Sequence, residues 1–226
     1  MLRTDLDPLP KQRSGSSVPA SNFAVAVQSI EASTITTDTE GLVARSITIH
    51  SDAKAEMDIL ILFAKIVLKA PHAQVMSDIV ACVAWAAGHG GDLSKLGITG
   101  FCWGGLITWL YSAHTPALKA GVAWYGRLTG VKSERQTSYP LDEAAALRAP
   151  VLGLYGGIDN GIPLDSVEAM RKALASGGGA ARRSEIVVYR AANHAFFADY
   201  RPNYDKAAAE DGWKRCLDWL RGHGVA

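Results

Sequence analysis

From residue 71 onward the chain alternates short apolar runs with longer stretches in which apolar positions recur at helical spacing. The runs predict strands over Leu96–Gly100, Ala120–Tyr125, Val151–Tyr155 and Glu185–Tyr189. The stretches predict helices over Gly104–Ala113, Leu164–Ala175 and Tyr204–Arg221, with a short helix over Leu141–Leu147 after the loop that ends at Pro140. Before them, Pro71 starts a helix that carries Val75, Ile79, Val83 and Ala86 on one face and stops at Gly88-His-Gly-Gly91. Val43, Arg45, Ile47 and Ile49 alternate with Ala44, Ser46 and Thr48, the period of a strand with one polar face, as at a sheet edge. Lys54–Ala70 is apolar on most faces and reads as a helix, although Ile59–Phe63 also fits a buried strand. Strands followed in turn by helices build βα units, which means a mostly parallel sheet covered on both faces. The fold class is α/β.

The bulk numbers exclude several roles. A chain of 226 residues that is 48% hydrophobic and 20% charged can bury one substantial core. Residues 41–226 are therefore expected to form a single domain behind a largely irregular segment, residues 1–40, which contains a Pro/Ser/Gly-bearing stretch and a Ser/Thr-rich one. A formal charge of +1 without a Lys/Arg block argues against nucleic acid or an anionic membrane as partner. Cys82, Cys102 and Cys216 are few, odd in number and far apart, so neither a disulfide framework nor a zinc ligand set is implied and a reducing, cytoplasmic setting fits best. Lys11 and Arg13 ahead of Phe23–Val27 resemble a secretory signal in degraded form, with a short apolar run and no clean cleavage site. Nothing approaches the ~18 consecutive apolar residues of a membrane-spanning helix.

Candidate chemistry centres on Gly100-Phe-Cys-Trp-Gly-Gly105, between a predicted strand and a predicted helix. A nucleophile elbow places its nucleophile on a strained turn from strand to helix, with small residues two before and two after it. Gly100 and Gly104 stand there around Cys102. By itself the motif is equally a glycine-rich turn around an inert buried thiol. In parallel sheets, reactive groups gather at the carboxyl ends of the strands. Asp159, in Gly156-Gly-Ile-Asp-Asn-Gly161, and His194, in Ala191-Ala-Asn-His-Ala-Phe-Phe197, both follow strands. The order nucleophile, acid, histidine is that of α/β-hydrolases. A thiolate attacks, an imidazole exchanges protons, and a carboxylate holds the imidazole's tautomer. Asp165 and Asp199 are weaker candidates for the acid, one entering a helix and the other lying beyond the histidine loop. Cys82 and Cys216 read as packing residues.

Gly97–Gly105, Ala123-Trp-Tyr-Gly126, Ala149–Gly157 with Asp159, and His194-Ala-Phe together resemble the dienelactone hydrolase (carboxymethylenebutenolidase) family, over roughly Pro71 to the C-terminus. The resemblance implies a three-layer α/β-hydrolase fold and a hydrolase without cofactor or metal. It would open lactone or ester bonds in small molecules, often ones bearing a carboxylate. Cys102, Asp159 and His194 would be its triad, and the backbone N–H of Trp103 an oxyanion donor. Arg201 resembles an arginine with which family members bind the substrate carboxylate, although its spacing from His194 is longer and a solvent-facing loop arginine is the competing reading. Tyr125 and Trp124 are expected either to line the pocket or to be core residues at a strand end.

The chain departs from the family before Pro71. Two further strands, the helix between them and a Gln-Glu-hydrophobic-Phe-Gly segment have no counterpart, so the N-terminal strands look incomplete. Glu56 lies nearby in unmatched surroundings. The resemblance then implies a missing second oxyanion donor, worth on the order of 3 kcal/mol of transition-state stabilisation. It also leaves Leu96–Gly100 as an exposed edge, open to aggregation, rearrangement or a homodimer. The alternatives are a general carboxylesterase of the same fold or a non-catalytic remnant that binds a small acid. A nucleotide-binding protein is disfavoured because neither Gly-x-Gly-x-x-Gly nor a Walker motif occurs.

Overall fold

Among the described residues, five parallel strands carry the architecture, at residues 24–27, 97–101, 120–124, 151–156 and 185–189 in that spatial order. The computed structural model describes residues 69–225 and, before them, the backbone of three strands at residues 24–27, 31–37 and 43–47. The elements are β1 (Ala24–Val27), β2 (Glu31–Thr37), β3 (Val43–Ile47), α1 (His72–Gly88), β4 (Gly97–Phe101), α2 (Trp103–His114) and β5 (Ala120–Trp124). They continue with α3 (Pro140–Glu143), β6 (Val151–Gly156), α4 (Leu164–Ser176), α5 (Gly179–Arg182), β7 (Glu185–Tyr189) and α6 (Lys206–Gly222).

Strands β5 and β6 are buried along their whole length, which explains why they read as continuous runs rather than as alternating patterns. Both faces are covered. A Cβ on Gly121 would meet Ser112 Oγ on α2 at 2.9 Å, whereas Trp124, on the opposite pleat of the same strand, fills the space left by Gly212 on α6. Trp109 and Trp124, both without exposed surface, anchor this core. Helix α1 buries Met76, Ile79 and Ala86, with Val75 and Val83 partly buried, so the predicted apolar stripe is the packed one.

Cap chemistry moves some predicted ends. Helix α6 starts at Lys206 rather than Tyr204 because the Asp205 side chain accepts from Ala208 N at 3.0 Å and sets the N-cap there. The short helix after Pro140 divides into α3 and a 3-10 turn, Ala144–Ala146. Gly177-Gly-Gly179 ends α4, and Gly179 then enters the single turn α5, which the sequence reading did not expect.

One expectation for the N-terminal part is corrected. The stretch 1–40, read as largely irregular, carries β1 and β2, and the rest of it lies outside the described residues. Strand β1 pairs with β4 in the register Ala24↔Gly97 to Val27↔Gly100, so the nucleophile strand is not an exposed edge. Strand β3 pairs antiparallel with β2 in a separate two-stranded sheet. The helix expected over Lys54–Ala70 lies outside the described residues except at its last two positions, and Glu56 and the segment from which a second oxyanion donor was sought lie outside them as well. Among the described residues, no helix is long and apolar enough to cross a membrane.

Candidate active site

Strand β4 ends at Phe101 and helix α2 begins at Trp103, so Cys102 alone makes the turn, at φ 53° and ψ −115°. A side chain in that region costs about 1–3 kcal/mol, and the surroundings must hold it there. Cys102 N–H donates to Trp124 O at the end of β5 (2.9 Å), while Cys102 O accepts from Gly105 N (3.0 Å) and Leu106 N (3.2 Å). Helix and strand pass close to each other at Gly105, where a Cβ would lie 2.6 Å from Trp124 O.

Asp159 stands in the turn after β6 and is only 5% exposed. Its Oδ1 accepts from Gly161 N at 2.8 Å, which aims Oδ2 at the imidazole. His194 follows β7, held by its own N–H donating to Asn193 Oδ1 (2.7 Å) and by Asn203 Nδ2 donating to its carbonyl (3.2 Å). His194 Nδ1 lies 2.7 Å from Asp159 Oδ2, and Nε2 lies 3.3 Å from Cys102 Sγ. Carboxylate, imidazole and thiol thus form one continuous relay from the ends of three strands. The Tyr125 ring meets the imidazole edge to face, with centroids 5.1 Å apart.

Backbone strain gathers here. Among the described residues, the non-glycine positions with positive φ are Cys102, Tyr125 (36°) and Ala195 (61°). One is the turn thiol, one packs on the imidazole, and one follows His194 in the chain. Such concentration of strain is typical of functional sites.

Burial disfavours a charged His194, but the hydrogen bonds and charges of Asp159 and Cys102 outweigh it and hold the imidazole up at about 10. Burial pushes the Cys216 thiol up to about 12, as suits a packing residue.

The relay opens onto a cavity of about 330 Å³, at the small end of the ~300–1,000 Å³ of ordinary ligand sites. Cys102, Trp103, Tyr125, Asp159 and His194 line it. Trp103 is the first residue of α2, so its N–H has no intrahelical acceptor and can face an oxyanion. Trp124 does not line the cavity: it has no exposed surface, donates from Nε1 to Thr99 Oγ1 (3.2 Å) and packs on Phe101 and Phe197. Arg201 is not among the lining residues either. Its guanidinium lies 5.9 Å from the Tyr200 ring centroid, and burial lowers its pKa.

Sequence reasoning missed Arg127, Gln136 and Tyr139, which line the cavity from the loop between β5 and α3. The available signal was position, because that loop leaves the carboxyl end of β5 beside the elbow. Among the described residues, no group of three or more His, Cys, Asp or Glu side chains is arranged to hold a metal ion.

The dienelactone hydrolase family model matches residues 41–224. Two curated proteins, each named "Putative carboxymethylenebutenolidase", are similar to this chain. The one from Escherichia coli strain K12 is 55% identical over 167 residues, and the one from Methylorubrum extorquens 54% identical over 178. These matches cover 74% and 78% of this chain and 60% of each relative, so the chain spans about 60% of the length of the curated relatives it matches. The "Putative Dienelactone Hydrolase" from Klebsiella pneumoniae, known from its crystal structure, superposes with a TM-score of 0.77 at 42% identity, covering 91% of this chain and 89% of that one.

Proposed function

The chain belongs to the dienelactone hydrolase family and has its α/β-hydrolase fold, and from that premise we propose that it hydrolyses a lactone or ester bond through Cys102, His194 and Asp159. The relay of 2.7 Å and 3.3 Å from Asp159 through His194 to Cys102 carries this reading.

The thiolate of Cys102 attacks the substrate carbonyl carbon, and the carbonyl π electrons move to oxygen. The resulting oxyanion faces the Trp103 N–H and the N-terminal dipoles of α2. Collapse breaks the C–O bond. The leaving alkoxide takes the Nε2 proton of the His194 imidazolium, leaving a thioester on Cys102. In a lactone the new alcohol stays tethered to the acyl group. Neutral His194 then takes a proton from water as its oxygen attacks the thioester. The second tetrahedral species expels the Cys102 thiolate and releases the acid, with the imidazolium restored. Asp159 keeps Nδ1 protonated throughout and stabilises the imidazolium on each pass.

The test assays purified protein against a dienelactone and an activated aryl ester, beside Cys102→Ala and His194→Gln, with thermal melts on all three. Turnover by the native chain is expected to exceed that of either variant by at least about 10³-fold, with a thioester adduct on Cys102 visible by mass spectrometry. Native turnover no greater than that of Cys102→Ala, in proteins that unfold cooperatively, would reject the proposal.

A further inference from the structure

The turn between β6 and α4 holds the triad acid and, directly after it, a pair of residues that the mechanism above leaves unused. Asn160-Gly161 is the one Asn-Gly step in the chain. Both residues are exposed, between Asp159 and Ile162, which are 5% and 3% exposed. They form the centre of a β-turn that Ile162 N–H closes on Asp159 O at 3.2 Å.

Three asparagines fall among the described residues, and they are held very differently. Asn193 Oδ1 accepts from His194 N–H at 2.7 Å, and Asn203 Nδ2 donates to His194 O at 3.2 Å. The residues that follow them, His194 and Tyr204, each put a bulky side chain beside the next amide nitrogen. The Asn160 side chain makes no hydrogen bond among the described residues, so its amide can turn toward the backbone. Gly161 has no Cβ, and one placed there would meet a single neighbour within 4 Å, Asp159 Oδ1 at 3.2 Å. That flank of the Gly161 nitrogen is open.

The chemistry available to such a pair is ring closure, the route by which asparagine is lost as a thermolabile residue. The Gly161 nitrogen attacks Asn160 Cγ, a five-membered succinimide forms, and ammonia leaves. Attack is limited by removal of the proton on that nitrogen. Here the N–H points at a carboxylate, since Gly161 N donates to Asp159 Oδ1 at 2.8 Å. Asp159 is placed to take the proton as the N–C bond forms and to pass it to the departing ammonia. Water then opens the ring. Opening at the former backbone carbonyl leaves isoaspartate, in which the chain runs through the side-chain carbon and is longer by one methylene.

The same hydrogen bond transmits the change to the relay. In the ring Gly161 N carries no proton, so Asp159 Oδ1 loses the bond that aims Oδ2 at His194 Nδ1. Asp159 is too deeply buried for water to replace that partner freely. In the isoaspartate the turn is lengthened, and a new carboxylate follows the one on Asp159.

We propose that Asn160 is a self-modification site: it cyclises with the Gly161 nitrogen and opens to isoaspartate, which uncouples Asp159 from His194 and makes the turn an irreversible clock on the relay. The modification stands apart from the hydrolase reading, whereas the loss of turnover rests on it.

The native chain, Asn160→Gln and Gly161→Ala are incubated in mildly alkaline buffer below the melting temperature and sampled over time. Glutamine would have to close a six-membered ring, and alanine sets a Cβ beside the attacking nitrogen. Peptide mapping is expected to show isoaspartate accumulating at position 160 of the native chain, with ammonia released in step, while Asn193 and Asn203 keep their amides. Both variants should stay unmodified and hold their own starting turnover, as native turnover falls in proportion to the modified fraction. The isolated isoaspartate form is expected to have kcat/KM lower by about 10²–10⁴-fold and to lose the low-field NMR resonance of the His194 Nδ1 proton. Modification at Asn160 no faster than at Asn193 and Asn203, in protein that still unfolds cooperatively, overturns the proposal. So does a modified form with native turnover and a native Nδ1 proton resonance. If no ester is turned over above the Cys102→Ala background, the hydrolase reading fails, and the peptide map and the resonance alone decide the role of Asn160.

Discussion

Asp159→Asn keeps the shape of the side chain and removes the charge that faces His194 Nδ1 at 2.7 Å. In the native protein burial works against the imidazolium, but the hydrogen bonds and charges of Asp159 and Cys102 prevail, raising the pKa from 6.5 to about 10. Between those two values the folded chain holds a proton that the unfolded chain has released. The stability drawn from this is complete below pH 6.5 and is lost as pH rises through about 10. At ~1.36 kcal/mol per unit the ceiling is about 5 kcal/mol. The imidazole side chain is 31% exposed, and screening by water brings the expected loss to ~2–3 kcal/mol. Urea unfolding of native protein and Asp159→Asn at pH 6.5, 8 and 9.5 isolates the share of this contribution that Asp159 supplies, because Cys102 and the other titrating groups are common to both. The stability advantage of the native protein should shrink by at least about 1 kcal/mol across that range. The imidazole titration seen by NMR should move down in the variant, and kcat/KM should fall by about 10²–10⁴. Parallel stability curves, with the imidazole titrating alike in both proteins, would refute the coupling between Asp159 and His194.

Three further outcomes follow from the same geometry. Because Cys102 sits at φ 53°, Cys102→Gly should be more stable than Cys102→Ala by ~1–2 kcal/mol in chemical denaturation, against the usual order for these two residues. Gly126→Ala would drive a Cβ into the backbone of Gly105 and Leu106 at 2.4 and 2.5 Å. It is expected to cost more than about 2 kcal/mol in urea unfolding and to lower activity by displacing the loop that lines the cavity. Iodoacetamide at pH 7 should label Cys102 in step with loss of hydrolysis and leave Cys216 unmodified until the chain unfolds, since burial raises the latter thiol to about 12; mass spectrometry of the peptides decides this.

The strand runs, the helix from Pro71 and the elbow were legible because each rests on local demands. A nucleophile elbow needs small residues beside a strained turn, and those residues are adjacent in sequence. Asp159 and His194 were readable for a related reason: each follows a strand of the same parallel sheet, whose carboxyl ends face one crevice. Helix ends were less legible, since a single cap such as Asp205 moves the start of α6.

Strand β1 was not legible. Ala24–Val27 is a four-residue apolar run that resembles a degraded signal segment, and only its pairing with β4, some seventy residues on, makes it a sheet strand. The two loop arginines make the same point at the site. By sequence alone, Arg201 had the family resemblance and Arg127 had nothing beyond its place after a strand. What sets them apart is the close passage of Gly126 over Gly105, a contact between a loop and a helix that are distant in sequence. Sequence by itself determined which chemical groups this chain holds and at which sheet ends they emerge, because backbone strain and hydrophobic period are local. Tertiary structure decided which charged side chain shares the thiol's cavity and which strand closes the sheet, because both depend on contacts between segments that no local pattern encodes.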